Sequence, residues 1–509
     1  MLRFKSLFLF FAVAVTLIAF TGCQSGDSYR KLIPADATLV CSSNLQTLSQ
    51  DSKFGDSELS SKILDYLDDL DDSDIQEKIE AIVKDPAESG IDLRKPVYYF
   101  MTSDYSGLVM KVYKEKKVEE MLELLHDYDS SCSKVKDEDD YKYVNIEDGW
   151  VVGFNDDALI MLFSIDGEFS SNRLKREIAK LMSQDEDGQY FAHDNPFDDA
   201  AEAAPLCVMV KGKIIDCLPL DSYDKRELDE FNSIYKSVCG IKIEDMNVFY
   251  TVTFEKNEAV LKAKVYCNDE SDTKKLIGNL PYKTLKGDYA GYTPDDDDEP
   301  IIVAAGLDGS KIVDMMKALP QYDMLVENAK SNGIDVIDVI KSIDGDMMFT
   351  LTDYYTGDWR EEPEYVFGYY GTFTSTDFAQ DLIDLVETAD ITSVKSIGDG
   401  QYLIGDDNFS VHVGIRDKKL FVSKKPLAEA KTGGADYVSE MKGNVLYARI
   451  VVPDILLRKE FKGPRILKTI TAKARITDVI ESEIRLTSDD DESVPFLETV
   501  VEWIDDNID

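Results

Sequence analysis

The chain has 509 residues, of which 99 are acidic and 56 basic, and 44% are hydrophobic. That is a globular composition with length for roughly two to four domains. A formal net charge of −43 excludes a nucleic-acid-binding surface, since phosphate contacts need a basic footprint. With His126, His193 and His412 as the only histidines, a histidine-rich metal centre is excluded too.

The first 22 residues read as a signal peptide. Arg3 and Lys5 give a positive start, and Leu7–Phe20 is mostly apolar. That run is too short for a spanning helix, which needs roughly 20 apolar residues, and suits a signal h-region. Phe20-Thr21-Gly22-Cys23 follows. A small residue before a cysteine at this place resembles the lipobox of bacterial lipoproteins, which implies cleavage before Cys23 and a lipid on its sulfur. Phe20 stands where that pattern usually has Leu. Residues 23–31 then read as a polar tether. Gln24 favours the outer membrane under enterobacterial sorting. No later stretch reaches 18 consecutive apolar residues, so acyl chains are the expected membrane attachment.

A recurring unit follows, four times over. Each copy opens with a β-like run, passes through helical sequence, and ends in a two-strand hairpin and a closing helix. The first opens at residues 37–45, with hairpin strands at 97–103 and 107–113 and a helix face of Val118, Met121, Leu122 and Leu125. The second opens at 205–212, with strands at 247–255 and 259–267 and a helix at 271–280. The third opens at 301–307, with strands at 346–354 and 365–373; Phe378, Leu382, Ile383 and Val386 form its helix face. The fourth opens at 444–452, with strands at 470–478 and 479–487, closed by Val494, Leu497, Val500, Val501 and Ile504. A Gly-Ile turn recurs at 89–92, 239–242 and 332–335. Extra β segments at 141–164 and 393–423 follow the first and third closing helices, so the order is long, short, long, short.

The expected fold is therefore α+β, with antiparallel sheets and helices packed on a face. Two homologous halves are expected, 32–290 and 301–509, joined by the acidic stretch 291–300. Six cysteines remain after Cys23: Cys41, Cys132, Cys207, Cys217, Cys239 and Cys267. They allow 15 disulfide connectivities. No CxxC occurs, and the apolar context of Cys41, Cys207 and Cys267 favours small core hydrophobes over bridges.

Leu32–Val40 after the Cys23 context, with Asp85–Phe100, resembles a family of uncharacterised lipoproteins from gut Bacteroidales, classed as a domain of unknown function. The Ile33-Pro-Ala-Asp-Ala37 and Ser89-Gly-Ile-Asp92 segments carry the resemblance. It covers nearly the whole mature chain and implies an envelope lipoprotein. It implies no activity and transfers no catalytic residue.

Three patterns suggest chemistry. Residues 183–194 resemble an EF-hand calcium loop, with Asp185, Asp187 and Asp194 as oxygen ligands and Gly188 at the sixth place. Ser183 at the first place, the short Asp194 at the last and the lack of an exit helix favour a solvated acidic loop. The other acidic runs, such as 137–140 and 295–299, read the same way. Tyr354, Tyr355 and Trp359 combine aromatic faces with nearby carboxylates, which suits sugar CH groups and hydroxyls; the plain alternative is packing at a hairpin tip. Lys431-Thr-Gly433 matches part of a penicillin-recognising signature, but no Ser-Asp-Asn accompanies it.

The reading is a non-enzymatic binding or assembly protein of the cell envelope, anchored in the membrane by lipid. Its partner is a protein or a glycan and not a nucleic acid. Glycan binding is the first alternative and a carboxylate-based hydrolase the second. No cofactor is expected apart from the calcium candidate.

Overall fold

The structure is a computed structural model. It describes residues 28–53, 57, 73–84, 86–128, 131–146, 149–164, 169–184, 188–190, 204–217, 222–295, 300–319, 321–331, 335–352, 366–389, 391–406, 409–427, 429, 435–452, 467–488 and 495–507. Helices and strands alternate along the chain, and each strand pairing described below is antiparallel.

The elements run in chain order. After a 3-10 turn at Ser28–Leu32 come β1 (Leu39–Ser43), α1 (Leu45–Ser52), α2 (Ser73–Lys84), β2 (Val97–Met101), β3 (Tyr105–Lys111) and α3 (Glu115–Tyr128). Next are β4 (Lys136–Asp137), β5 (Lys142–Asn145), β6 (Trp150–Phe154), β7 (Ala158–Ser164) and α4 (Ser171–Met182). Then follow β8 (Leu206–Lys211), α5 (Ser222–Cys239), β9 (Met246–Glu255), β10 (Glu258–Cys267) and α6 (Glu270–Asn279). Beyond them lie β11 (Ile301–Asp308), α7 (Gly309–Met316), α8 (Tyr322–Ser331), α9 (Val336–Ser342), β12 (Ile343–Thr352), β13 (Val366–Phe373) and α10 (Asp377–Thr388). The remainder comprises β14 (Ser393–Gly398), β15 (Gln401–Gly405), β16 (Ser410–Arg416), β17 (Lys419–Ser423), α11 (Ala435–Met441), β18 (Leu446–Val451), β19 (Thr469–Ile476), β20 (Ile480–Thr487) and α12 (Phe496–Asn507).

These contacts divide into two compact units. One takes the described residues within 1–221, 246–263 and 490–509; the other takes those within 222–245 and 264–489. The terminal helix α12 therefore counts with the first unit, where it packs on α1 and β9. In the second unit α5 packs against α6 and α7.

In the first unit the strand order is β10-β9-β8-β1-β2-β3-β7-β6-β5-β4. In the second it is β20-β19-β18-β11-β12-β13-β17-β16-β15-β14. One face of each sheet is closed by nearby turns and helices. In the first unit Tyr29 of the 3-10 turn lies fully buried against Tyr98, and Ile178 of α4 packs on Gly153. In the second, Tyr289, Ala290, Tyr437 and Met441 bury Ile302, Ala304, Met348, Tyr370 and Tyr447.

The Gly-Ile turns appear at two of their three places. Gly90 has φ +82° and Gly240 has φ +76°, a region that suits glycine because it has no Cβ. The third turn, 332–334, lies outside the described residues. Gly309 is constrained differently. It opens α7, and a Cβ there would lie 1.7 Å from the backbone oxygen of Ile340. No backbone shift of a few tenths of an ångström relieves that overlap. Gly309→Ala is expected to lower stability by about 3 kcal/mol, read as the shift in urea midpoint; an unchanged midpoint would show that α7 and α9 do not approach this closely.

Candidate functional site

The second face of each sheet sets the functional question. Residues paired across antiparallel strands share a face, so the register can be read as rows. One row of the second unit is Ile484, Ala472, Ala448, Val303, Phe349, Tyr369, Val422 and Val413. A second row is Leu486, Ile470, Ile450, Ile301, Leu351 and Phe367. A third runs Ser482, Ala474, Leu446, Ala305, Met347, Gly371, Leu420 and Ile415. No position in the three rows is charged.

Such a face is unusual for an antiparallel sheet, which commonly turns polar residues to water on its second side. In β19 and β20 the polar alternation is present but inverted. Lys473, Glu483 and Arg485 point to the side that carries Tyr447 and Arg449, and the apolar set occupies the other side.

Helix α10 covers part of these rows. Ala379 and Ile383 are buried with Phe373, Val413 and Leu420, and Met347, Tyr369, Val422 and Ile415 pack against that cluster. Tyr402 donates from its hydroxyl to Gln380 of α10 at 3.0 Å. Burial pushes the Tyr369 phenol above its ordinary pKa of 10.0. Met347 of β12 lies at the margin of that cluster, and among the described residues none of β11, β18, β19 or β20 belongs to it. The rest of the rows is carried by the five strands β12, β11, β18, β19 and β20. None of the row residues on these five strands is buried, and Phe349, Val303 and Ile484 are 40%, 39% and 37% exposed.

The first unit has a matching row: Tyr250, Val208, Cys41, Tyr99, Leu108, Met161, Val152 and Val144. Here α2 and α3 cover the β3–β7–β6–β5 end, through Ile75, Ile82, Val118, Met121, Leu122 and Leu125.

Cys41 lies on this row, whereas Cys207 pairs with Ser42 and faces the other way, so the two strands hold these thiols on opposite sides of the sheet. All six described cysteines are free thiols. Burial pushes the Cys41 thiol from 9.0 to about 11 and the Cys207 thiol to about 12. A buried thiol keeps its proton while the unfolded chain gives it up from about pH 9. The stability this contributes is therefore present below pH 9 and lost as pH rises through about 11 for Cys41. The urea midpoint is expected to fall over that range, and to fall less steeply in Cys41→Ala; identical slopes would contradict the burial of Cys41.

A separate cleft of about 410 Å³ lies between α9 and α10, with Val339, Phe378, Leu382 and Leu385 as apolar lining and Asp335, Asp338, Asp377 and Asp381 as acidic lining. Asp335 caps α9 by accepting from the N–H of Asp338 at 3.1 Å, and Asp338 pairs with Lys341 at 3.4 Å. A second, smaller pocket of about 40 Å³ is lined by Tyr292, Tyr370, Thr350, Thr352, Ser423 and Val366. It lies at the ends of β12 and β13, whose connection carries Tyr354, Tyr355 and Trp359.

Those three aromatic residues lie outside the described residues, as do Cys23 and the calcium candidates Asp185, Asp187 and Asp194. The same is true of Lys431–Gly433. Among the described residues no group of three or more His, Cys, Asp or Glu is placed to hold a metal ion, and no helix is long and apolar enough to cross a membrane. The apolar rows escaped sequence reading because Ile, Val, Ala and Leu in strands carry no compositional mark of a site. Only the register brings them together.

The profile of a domain of unknown function, DUF4836, matches residues 29–453. The chain belongs to the DUF4836 family. No curated protein matches it. Among solved structures, the DUF4836 chain is similar to crystal form III of TP0453 at 9% identity and a TM-score of 0.24, over 50% of this chain and 87% of that one. It is also similar to crystal form IV of TP0453 at 11% identity and a TM-score of 0.26, over 46% and 79% of the two chains.

Proposed function

We propose that this DUF4836 protein is a non-enzymatic binding module, held at the cell envelope by a lipid on Cys23, and that the strand arrays of its two units are copies of one module. The matched strand orders and the matching apolar rows support the duplication. The uncovered apolar rows on β12, β11, β18, β19 and β20 carry the binding reading. In the rows on these strands Ser482 is the one hydroxyl and no base stands there to activate it, and contiguous apolar surface of this kind marks an interaction or ligand site.

The test is titration of the purified mature chain with the apolar reporter dye ANS. Saturable fluorescence is expected, and Phe349→Asp should abolish most of it while circular dichroism stays native. Phe349→Ala, which leaves no buried charge, should weaken it with the fold retained. Dye fluorescence that is absent, or unchanged in both variants, would overturn the reading.

Glycan binding is the second reading, supported by the aromatic residues Tyr354, Tyr355 and Trp359 beside Asp358 in the sequence. Loss of binding on a glycan array in Trp359→Ala would support it, and no binding by the wild type would end it. The hydrolase alternative rests on the α9–α10 cleft, where two of the four aspartates already serve helix capping and an ion pair.

A further inference from the structure

We propose that the uncovered apolar face of the second unit takes the acyl chain of a zwitterionic lipid. This rests on the binding reading above and names the ligand of the same face.

Electrostatics selects among the possible occupants. The chain carries −43, so a second copy brought to this face meets strong like-charge repulsion. A free fatty acid or an anionic headgroup meets the same field. A protein partner would need the polar rim and the hydrogen bonds that such interfaces carry, about one per 100–200 Å². The five open strands offer Ser482 as the one hydroxyl in these rows and no charge. A hydrocarbon chain demands no partner and loses nothing by lying on such a surface, and a headgroup of zero net charge escapes the repulsion.

Geometry agrees. The rows run perpendicular to the strands, and five strands at about 4.8 Å spacing span about 19 Å, a length suited to a long acyl chain. One end of that path is closed by α10, which already covers the rows from β13 onward. The chain would lie along Ile484, Ala472, Ala448, Val303 and Phe349.

The experiment measures binding of a lysophosphatidylcholine series, octanoyl to palmitoyl, to the mature chain beginning at Gln24, each lipid below its micellar concentration. Without Cys23 the protein's own lipid cannot compete. Each added methylene that reaches the face contributes about 0.8 kcal/mol, so Kd is expected to tighten about fourfold per methylene until the path is filled. Phe349→Ala should weaken the longer chains more than the octanoyl lipid. Affinity independent of chain length, or concentration-dependent dimerisation in place of lipid binding, would overturn the proposal. Those results alongside retained, Phe349-dependent dye binding would leave the binding reading standing and remove only the acyl ligand. Loss of dye binding as well would remove both.

Discussion

Truncation of the chain before residue 495 is expected to unfold the N-terminal unit while sparing the sheet of the other. Helix α12 is last in sequence, yet it packs on α1 near the beginning. Phe496 is 6% exposed and Thr499 1%. Lys53, the left-handed residue that ends α1, donates to Glu498 at 2.5 Å, and the N–H of Phe496 donates to the carbonyl of Lys256 at 2.5 Å. Burial of one phenylalanine is worth about 3 kcal/mol on truncation to alanine, so Phe496→Ala alone should remove a large part of a typical domain's margin of about 5–15 kcal/mol. Removal of the whole helix also strips the cover from α1 and β9. Hydrogen exchange provides the check. Peptides in 39–52 and 246–255 should lose protection, and those in 301–308 and 343–352 should keep it. The opposite pattern would place α12 on the other unit.

Asp346→Ala is expected to cost about 4 kcal/mol. Asp346 is 3% exposed in a strand interior, where an unpaired carboxylate would be strongly disfavoured. It is satisfied by backbone N–H groups: Lys286 at 3.0 and 3.1 Å, Gly287 at 2.9 Å and Asp288 at 3.1 Å. The substitution leaves those donors without an acceptor inside the protein. It also frees the turn that delivers Leu285, Tyr289 and Ala290 to the buried face, where the Tyr289 ring lies 5.7 Å from those of Tyr370 and Phe421. Asp346→Asn retains one acceptor and should fall between the two. A urea midpoint for Asp346→Ala within the error of wild type would show that the turn is held by its aromatic contacts alone.

Much of this fold was legible in local periodicity. The alternation Leu261, Ala263, Val265 marks β10, and the face of Val118, Met121, Leu122 and Leu125 is the buried face of α3. What periodicity leaves open is the identity of each neighbour. Residues 301–307 form a continuous apolar run, the pattern of a strand buried on both sides, yet Val303 is 39% exposed, because the helix cover ends before β11. The closing residues Leu497, Val500, Val501 and Ile504 lie half-buried on α12, while Phe496 and Thr499 are its fully buried residues; their partner α1 lies hundreds of residues away and leaves no local trace. The aromatics of 354–359 and the acidic loop of 185–194 stand out in the sequence because their residue types are unusual. The apolar face is built from common ones, and its significance exists only once strand order and register are fixed.

On the acyl-chain proposal, the rows of the second unit hold lipid. The most direct measurement is native mass spectrometry of the mature chain beginning at Gln24, recovered after incubation with zwitterionic phosphatidylcholine vesicles and separated from them. A bound population one lipid mass heavier is expected, present in wild type and lost in Phe349→Asp. A chain that emerges lipid-free, or carries lipid equally in both forms, would contradict it.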